Sequence, residues 1–330
     1  RRLNWRGLRW PVMGLLPAMV LAAAALYDQY YIKHPFQGWW LILWPSVFAI
    51  QIYLLRCMET AWNEKLALAW HVAGALLASV LLAWETGWLI DQLVEGAPVW
   101  RFIVWGGLPA AVVAVLIRFS DRSFWPFGAW ARAYRGWLPF LLVLWLMGWT
   151  FMGTAMNGDP QPLPYLPLLN PLDLVQAIVF MVVVGWVMWM KNNPIAPAAS
   201  LPPEVMWGAP AAGGFVWLTA VVARSVHHLA GIRYDADAMF QSDLFHAAVA
   251  VLWGLLALGC MVAASRFRHR SVWFTGAGLL AVVVVKLFVV DLSGSGTVSR
   301  IVSFLAVGGL MLVVGFFTPL PPAESKGEGA

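Results

Sequence analysis

Residues 244–264 read LFHAAVAVLWGLLALGCMVAA, twenty-one positions that carry one imidazole, His246, and no carboxylate, ammonium or guanidinium. An α-helix needs about 20 mostly apolar residues to cross the hydrocarbon of a bilayer. This stretch therefore reads as a membrane span. The same reading, carried outward in both directions, gives ten candidates. They are Pro11–Tyr30, Gly38–Leu55, Leu66–Trp84, Val99–Ile117, Gly136–Met156, Leu172–Met190, Val205–Val226, Leu244–Ala264, Val272–Val290 and Val298–Thr318. The seventh is the least regular, because Pro210, Gly213 and Gly214 interrupt it. Such residues are tolerated in membrane helices when neighbours re-satisfy the backbone. Composition points the same way. The chain is 61% hydrophobic and 11% charged, with mean hydropathy +0.74, whereas soluble domains carry about 25% charged residues. The expected fold is all-α: a polytopic integral membrane protein, a bundle of about ten transmembrane helices. Residues 1–318 read as a single transmembrane helical domain and 319–330 as a disordered cytoplasmic tail. The chain begins at Arg1 rather than methionine, and reads as part of a longer protein.

Lys and Arg concentrate in cytoplasmic loops. Alternating the ten spans puts 15 of the 21 basic residues on the side of the N-terminus, among them Arg1–Arg9, Arg118–Arg135 and Arg266–Arg270. Both termini are therefore expected in the cytoplasm. Insertion and anionic lipid account for the net charge of +5, so no nucleic-acid partner is implied. Tryptophan prefers the headgroup level. Trp39, Trp40, Trp84, Trp88, Trp100, Trp137 and Trp207 fall at span ends, as aromatic belts would. Asn157–Pro171 holds five prolines in fifteen residues and cannot form a regular helix; it reads as a stiff connector on the outer side. Where it meets the sixth span, Asn170 or Asp173 is suited to cap that helix, with Pro171 in its first turn.

Ionisable groups cluster between Arg224 and Arg300. Arg224, His227 and His228 follow i, i+3, i+4 spacing and share a face if their helix continues past them. Asp243 and His246 are i, i+3 at the start of the eighth span. Lys286 lies inside the run AVVVVKLFVV, residues 281–290. Asp291 follows it, and Arg300 opens the tenth span. The topology brings all of them to the outer boundary, where Asp173 could join them. Burying such a group in hydrocarbon costs at least ~2.5–3.5 kcal/mol, so each needs a partner or a cavity.

Two readings compete. In one, Arg224, Lys286 and Arg300 clamp an anionic headgroup, with Asp243, Asp291 and Asp173 completing the pocket. His227, His228 or His246 would then supply acid or base chemistry. The substrate would be an anionic lipid or lipid-linked glycan. In the other, the protein is a non-enzymatic scaffold or transporter component, and the charges anchor and pair helices. Lys286 would pair with Asp291 or Asp243, and Glu85 with Arg101. Adjacent His227 and His228 cannot easily face one metal, and HExxH is absent, so no metal is expected. P-loop and dinucleotide motifs are absent as well, so no cofactor is implied. Gln51 and His71 read as buried, hydrogen-bonded groups.

Three segments carry a family resemblance: DPQPLPYLPLLNPLDL at 159–174, ARSVHHLAGIRYDADAMF at 223–240, and VVVVKLFVVDLSGSGTVSRIVSFLAVGGLMLVVGFFTPLPP at 282–322. They resemble the bacterial predicted membrane protein family known as domain of unknown function 2339, in its C-terminal portion. The first 150 residues are similar only as hydrophobic spans. The resemblance implies an all-helical protein of the bacterial inner membrane, and members much longer than this chain. It brings no established activity, substrate or catalytic residue.

Overall fold

The computed structural model describes residues 12–29, 32–94, 98–119, 122, 124–195 and 197–286, together with 301, 304, 305, 308, 309 and 312. The chain divides into two compact units, Arg1–Trp217 and Leu218–Ala330. Among the described residues there are no strands. The first unit contains α1 (Leu15–Asp28), α2 (Trp40–Met58), α3 (Glu64–Leu93), α4 (Pro98–Arg118), α5 (Leu138–Gly153) and α6 (Pro171–Asn192). Helix α7 (Pro203–Ala230) carries the chain into the second unit, with α8 (Ala236–Phe240), α9 (Asp243–Phe267) and α10 (Arg270–Lys286). Among the described residues, seven helical stretches are long and apolar enough to cross a membrane, and α1 is a shorter apolar helix. Each of the first nine expected spans has its helix, and the described residues of the tenth are helical. The fold is a polytopic α-helical membrane bundle.

In the first unit α4 is the hub, packed against α3, α5 and α6. Its core includes Val113, Leu142, Leu146, Val179 and Val183, all fully buried. The Trp149 ring packs so closely on Gly106 that a Cβ there would meet it at 2.6 Å, and its indole N–H donates to the Phe102 carbonyl at 3.0 Å. A second apolar cluster joins α1, α2 and α3 through Leu16, Met19, Trp44 and Leu81. In the second unit α9 and α10 form a hairpin. Gly276 lies where a Cβ would stand 2.8 Å from the Ala257 carbonyl oxygen.

The expected cap of α6 is present: Asn170 Oδ1 accepts from the Asp173 N–H at 3.0 Å, with Pro171 in the first turn. Helix α7 runs unbroken through Pro210, and Gly213 is the point where Met147 and Phe180 approach its backbone. Helix α3 extends to Leu93, nine residues beyond the expected Trp84. The reason is that Glu85, which ends the apolar run, has its own partners. Glu85 meets His34 Nδ1 at 2.8 Å and accepts the Phe36 N–H at 3.2 Å. Arg101 therefore does not pair with Glu85; it reaches Asp91 at 3.4 Å. Of the tryptophans at span ends, Trp39 and Trp207 are exposed, while Trp84 packs in the core.

Candidate functional site

Arg224, His227 and His228 all lie in the last two turns of α7, which continues to Ala230. The shared face expected from their spacing thus exists. Gly231, at φ +69°, turns the chain out of the helix, in the left-handed region that glycine enters without strain. His227 Nδ1 lies 2.6 Å from the Ile232 carbonyl just beyond that turn. Facing a carbonyl, Nδ1 must carry the proton. The His227 ring stands 4.7 Å from the ring of His228 and 5.8 Å from that of Tyr234. Asp235 caps α8 by accepting the Ala238 N–H at 2.8 Å. A hydrogen bond from Arg233 and the Ala238 N–H hold its carboxyl below the usual carboxylate range.

His246, in the first turn of α9, turns back to α8. Its Nε2 lies 2.7 Å from the Phe240 carbonyl, the last of that helix. The imidazole thus serves a helix-end carbonyl that lacks an intrahelical donor. Asp243 is exposed beside it, and Ser242 rather than Asp243 caps α9, accepting the Phe245 N–H at 3.1 Å. Lys286, at the end of α10, donates from Nζ to the His246 carbonyl at 3.2 Å. This contact is to a backbone oxygen of α9; the expected pairing with Asp291 falls outside the described residues. Arg224 is wholly buried, and so is Asp173 in the first turn of α6. Asp291 and Arg300 lie outside the described residues, as does the tail 319–330.

The first unit holds a second polar cluster. Glu59 begins a short 3₁₀ turn after α2. Its carboxylate accepts from the indoles of Trp130 at 2.6 Å and Trp125 at 3.2 Å, and it meets His71 Nε2 at 3.2 Å. His71 Nδ1 lies 3.2 Å from the Tyr134 hydroxyl. The His71 side chain is fully buried, stacked on Trp130 at 4.8 Å. A neutral imidazole fits this frame with Nε2–H donating to Glu59 and Nδ1 accepting from Tyr134. The expectation that His71 is a buried, hydrogen-bonded group is met. Gln51 is buried too, but its Nε2 has no hydrogen-bond partner among the described residues.

The model of the predicted membrane protein family DUF2339 matches residues 1–321. The chain belongs to the DUF2339 family. The match takes in the first 150 residues, which were expected to be similar only as generic spans. No curated protein and no solved structure matches this DUF2339 chain.

Within the DUF2339 chain, the second unit holds two sets of candidates: Arg224, His227 and His228 at the end of α7, and His246 in the first turn of α9 with Lys286 at the end of α10. Asp173 belongs to the first unit. The Glu59 cluster was not legible from local sequence. Its partners stand 12, 66 and 71 positions from Glu59 along the chain. The usable signal was an acidic residue and two tryptophans in loops on the same expected side as the start of the His71 helix.

Proposed function

We propose that this DUF2339 member is a bacterial inner-membrane protein with both termini in the cytoplasm, acting as a non-enzymatic scaffold or transporter component. In this reading its outer polar residues hold a helix corner rather than process a substrate. The orientation is supported by the basic bias of one set of loops. The structural role is supported by one observation above all: His227, His246 and Lys286 each direct a polar nitrogen to a backbone carbonyl of this corner. At membrane depth a donor without a partner costs several kcal/mol. These contacts satisfy donors and helix ends at once.

One observation favours the second reading, recognition of an anionic lipid or lipid-linked glycan headgroup at the periplasmic face. With Nδ1 of His227 tied to the Ile232 carbonyl, Nε2 is the proton acceptor of the ring. In that reading Arg224, Lys286 and Arg300 bind the headgroup, and His227, His228 or His246 moves a proton. Asp243 and Asp291 orient these groups. Mass spectrometry of lipids co-purified with wild type, Lys286→Ala and Arg224→Ala separates the two. The structural reading expects one unchanged lipid profile, with Lys286→Ala less stable by about 1.5–3 kcal/mol in thermal unfolding. Selective loss of an anionic lipid from either variant would overturn it and establish the headgroup reading.

A further inference from the structure

A groove of about 590 Å³ runs along the first half of α3. Its floor and one wall come from Leu68, Ala69, Val72, Ala73 and Leu76 of α3, and the opposite wall from Trp137 and Leu141. The volume falls within the roughly 300–1,000 Å³ typical of ligand pockets. From Glu64 to Leu76 the helix rises about 18 Å at 1.5 Å per residue. One leaflet of hydrocarbon is about 15 Å, half of the ~30 Å core. The groove thus has the length of an acyl chain's half of the bilayer.

Only one end of the groove is polar, where Lys65, Arg132 and Glu64 meet. Arg132 opens an irregular stretch of backbone. Residues Arg132–Trp137 form a π-helix ahead of α5. In an α-helix, residues five apart point about 140° away from each other at 3.6 residues per turn. In a π-helix the backbone hydrogen bond joins i to i+5. Arg132 and Trp137, its first and last residues, both line the groove. π-turns of this kind are frequent at functional sites. Arg132 donates to Glu64 at 3.1 Å, but both side chains are more than 60% exposed. An exposed pair of this kind contributes at most about 1 kcal/mol and yields to a phosphate, which accepts from the guanidinium fork through two oxygens.

We propose that this groove binds one phospholipid with an anionic headgroup, its acyl chain along Leu68–Leu76 and its phosphate between Lys65 and Arg132. In the orientation proposed above, the lipid belongs to the cytoplasmic leaflet. The site itself does not depend on that orientation, nor on the Arg224–Lys286 corner. Native mass spectrometry tests it: the full chain is released from nanodiscs that contain phosphatidylglycerol and phosphatidylcholine with matched acyl chains. Wild type is expected to retain one phosphatidylglycerol per chain with about thirtyfold preference, from roughly 1 kcal/mol for each of Lys65 and Arg132.

The double variant Lys65→Gln/Arg132→Gln, at exposed positions, should lose the preference. Ala69→Phe/Ala73→Phe, which fills the floor with charge intact, should lose the retained lipid. Lys191→Gln, an exposed cation away from the groove, should behave as wild type. Equal retention of both lipids by wild type would overturn the proposal, and so would a preference that survives the double Gln variant. A wild-type dimer that the double Phe variant splits, with lipid retention unchanged, would assign the groove to a second copy instead.

Discussion

Replacing Glu59 by Leu is expected to destabilise the chain by about 3–5 kcal/mol, the range for removing one partner from a buried charge network. Three N–H groups converge on that carboxylate, from His71, Trp125 and Trp130. The His71 side chain is fully buried and Glu59 is only 12% exposed. A leucine leaves these donors with no acceptor, and each buried unsatisfied group costs about 1–3 kcal/mol. Glu59→Gln keeps one acceptor oxygen and loses the charge, so its loss should be smaller, about 1–2 kcal/mol. Combining Glu59→Leu with His71→Leu should cost less than the sum of the singles, because residues of one network couple by 0.5–3 kcal/mol. Thermal unfolding of the full chain in detergent micelles measures all of these. A Glu59→Leu variant within 0.5 kcal/mol of wild type would remove the cluster from any account of stability.

The second large effect is expected at Gly276. A Cβ on this residue would stand 2.7 Å from Met261 Cγ, 2.8 Å from the Ala257 carbonyl oxygen and 3.1 Å from Cys260 Cβ. Met261 can swing aside, but the carbonyl belongs to α9 itself and cannot. Even Gly276→Ala forces α9 and α10 apart. Close backbone approach at small residues is how membrane helices associate, since lipid tails are as apolar as the side chains they meet. Overpacking of this kind costs about 1–3 kcal/mol, and Gly276→Leu should lie at or beyond the top of that range. Gly278, two residues away, meets nothing within 4 Å. There Gly→Ala should be neutral or stabilising by up to about 1 kcal/mol, from reduced backbone freedom. Equal unfolding temperatures for Gly276→Ala and Gly278→Ala would contradict the close α9–α10 contact.

The spans were legible because each needs only a local count of apolar residues. Leu244–Ala264 became α9, Asp243–Phe267, with few changes at either end. Where a count failed, a distant partner was the cause. Glu85 ended the apolar run of the third span, yet α3 continues past it because His34, 51 positions away, meets the carboxylate. The π-helix at Arg132–Trp137 leaves no trace in hydropathy, and its first and last residues line the α3 groove. In the polar corner, residue types and i, i+3, i+4 spacing were readable. Their partners were not, because they are backbone carbonyls such as those of Ile232, Phe240 and His246. Side-chain identity carries no signal for such a bond.

Both the structural reading of the outer corner and the leaflet assigned to the groove rest on one orientation of the spans. The most direct test is labelling of single cysteines in intact cells by a membrane-impermeant maleimide, with Cys57 and Cys260 replaced. Leu163, exposed in the proline-rich connector, and Ser271, exposed at the start of α10, are the reporters. Leu163→Cys should be labelled in intact cells, and Ser271→Cys only after permeabilisation. Labelling of Ser271→Cys in intact cells would contradict the orientation and place the polar corner on the cytoplasmic side.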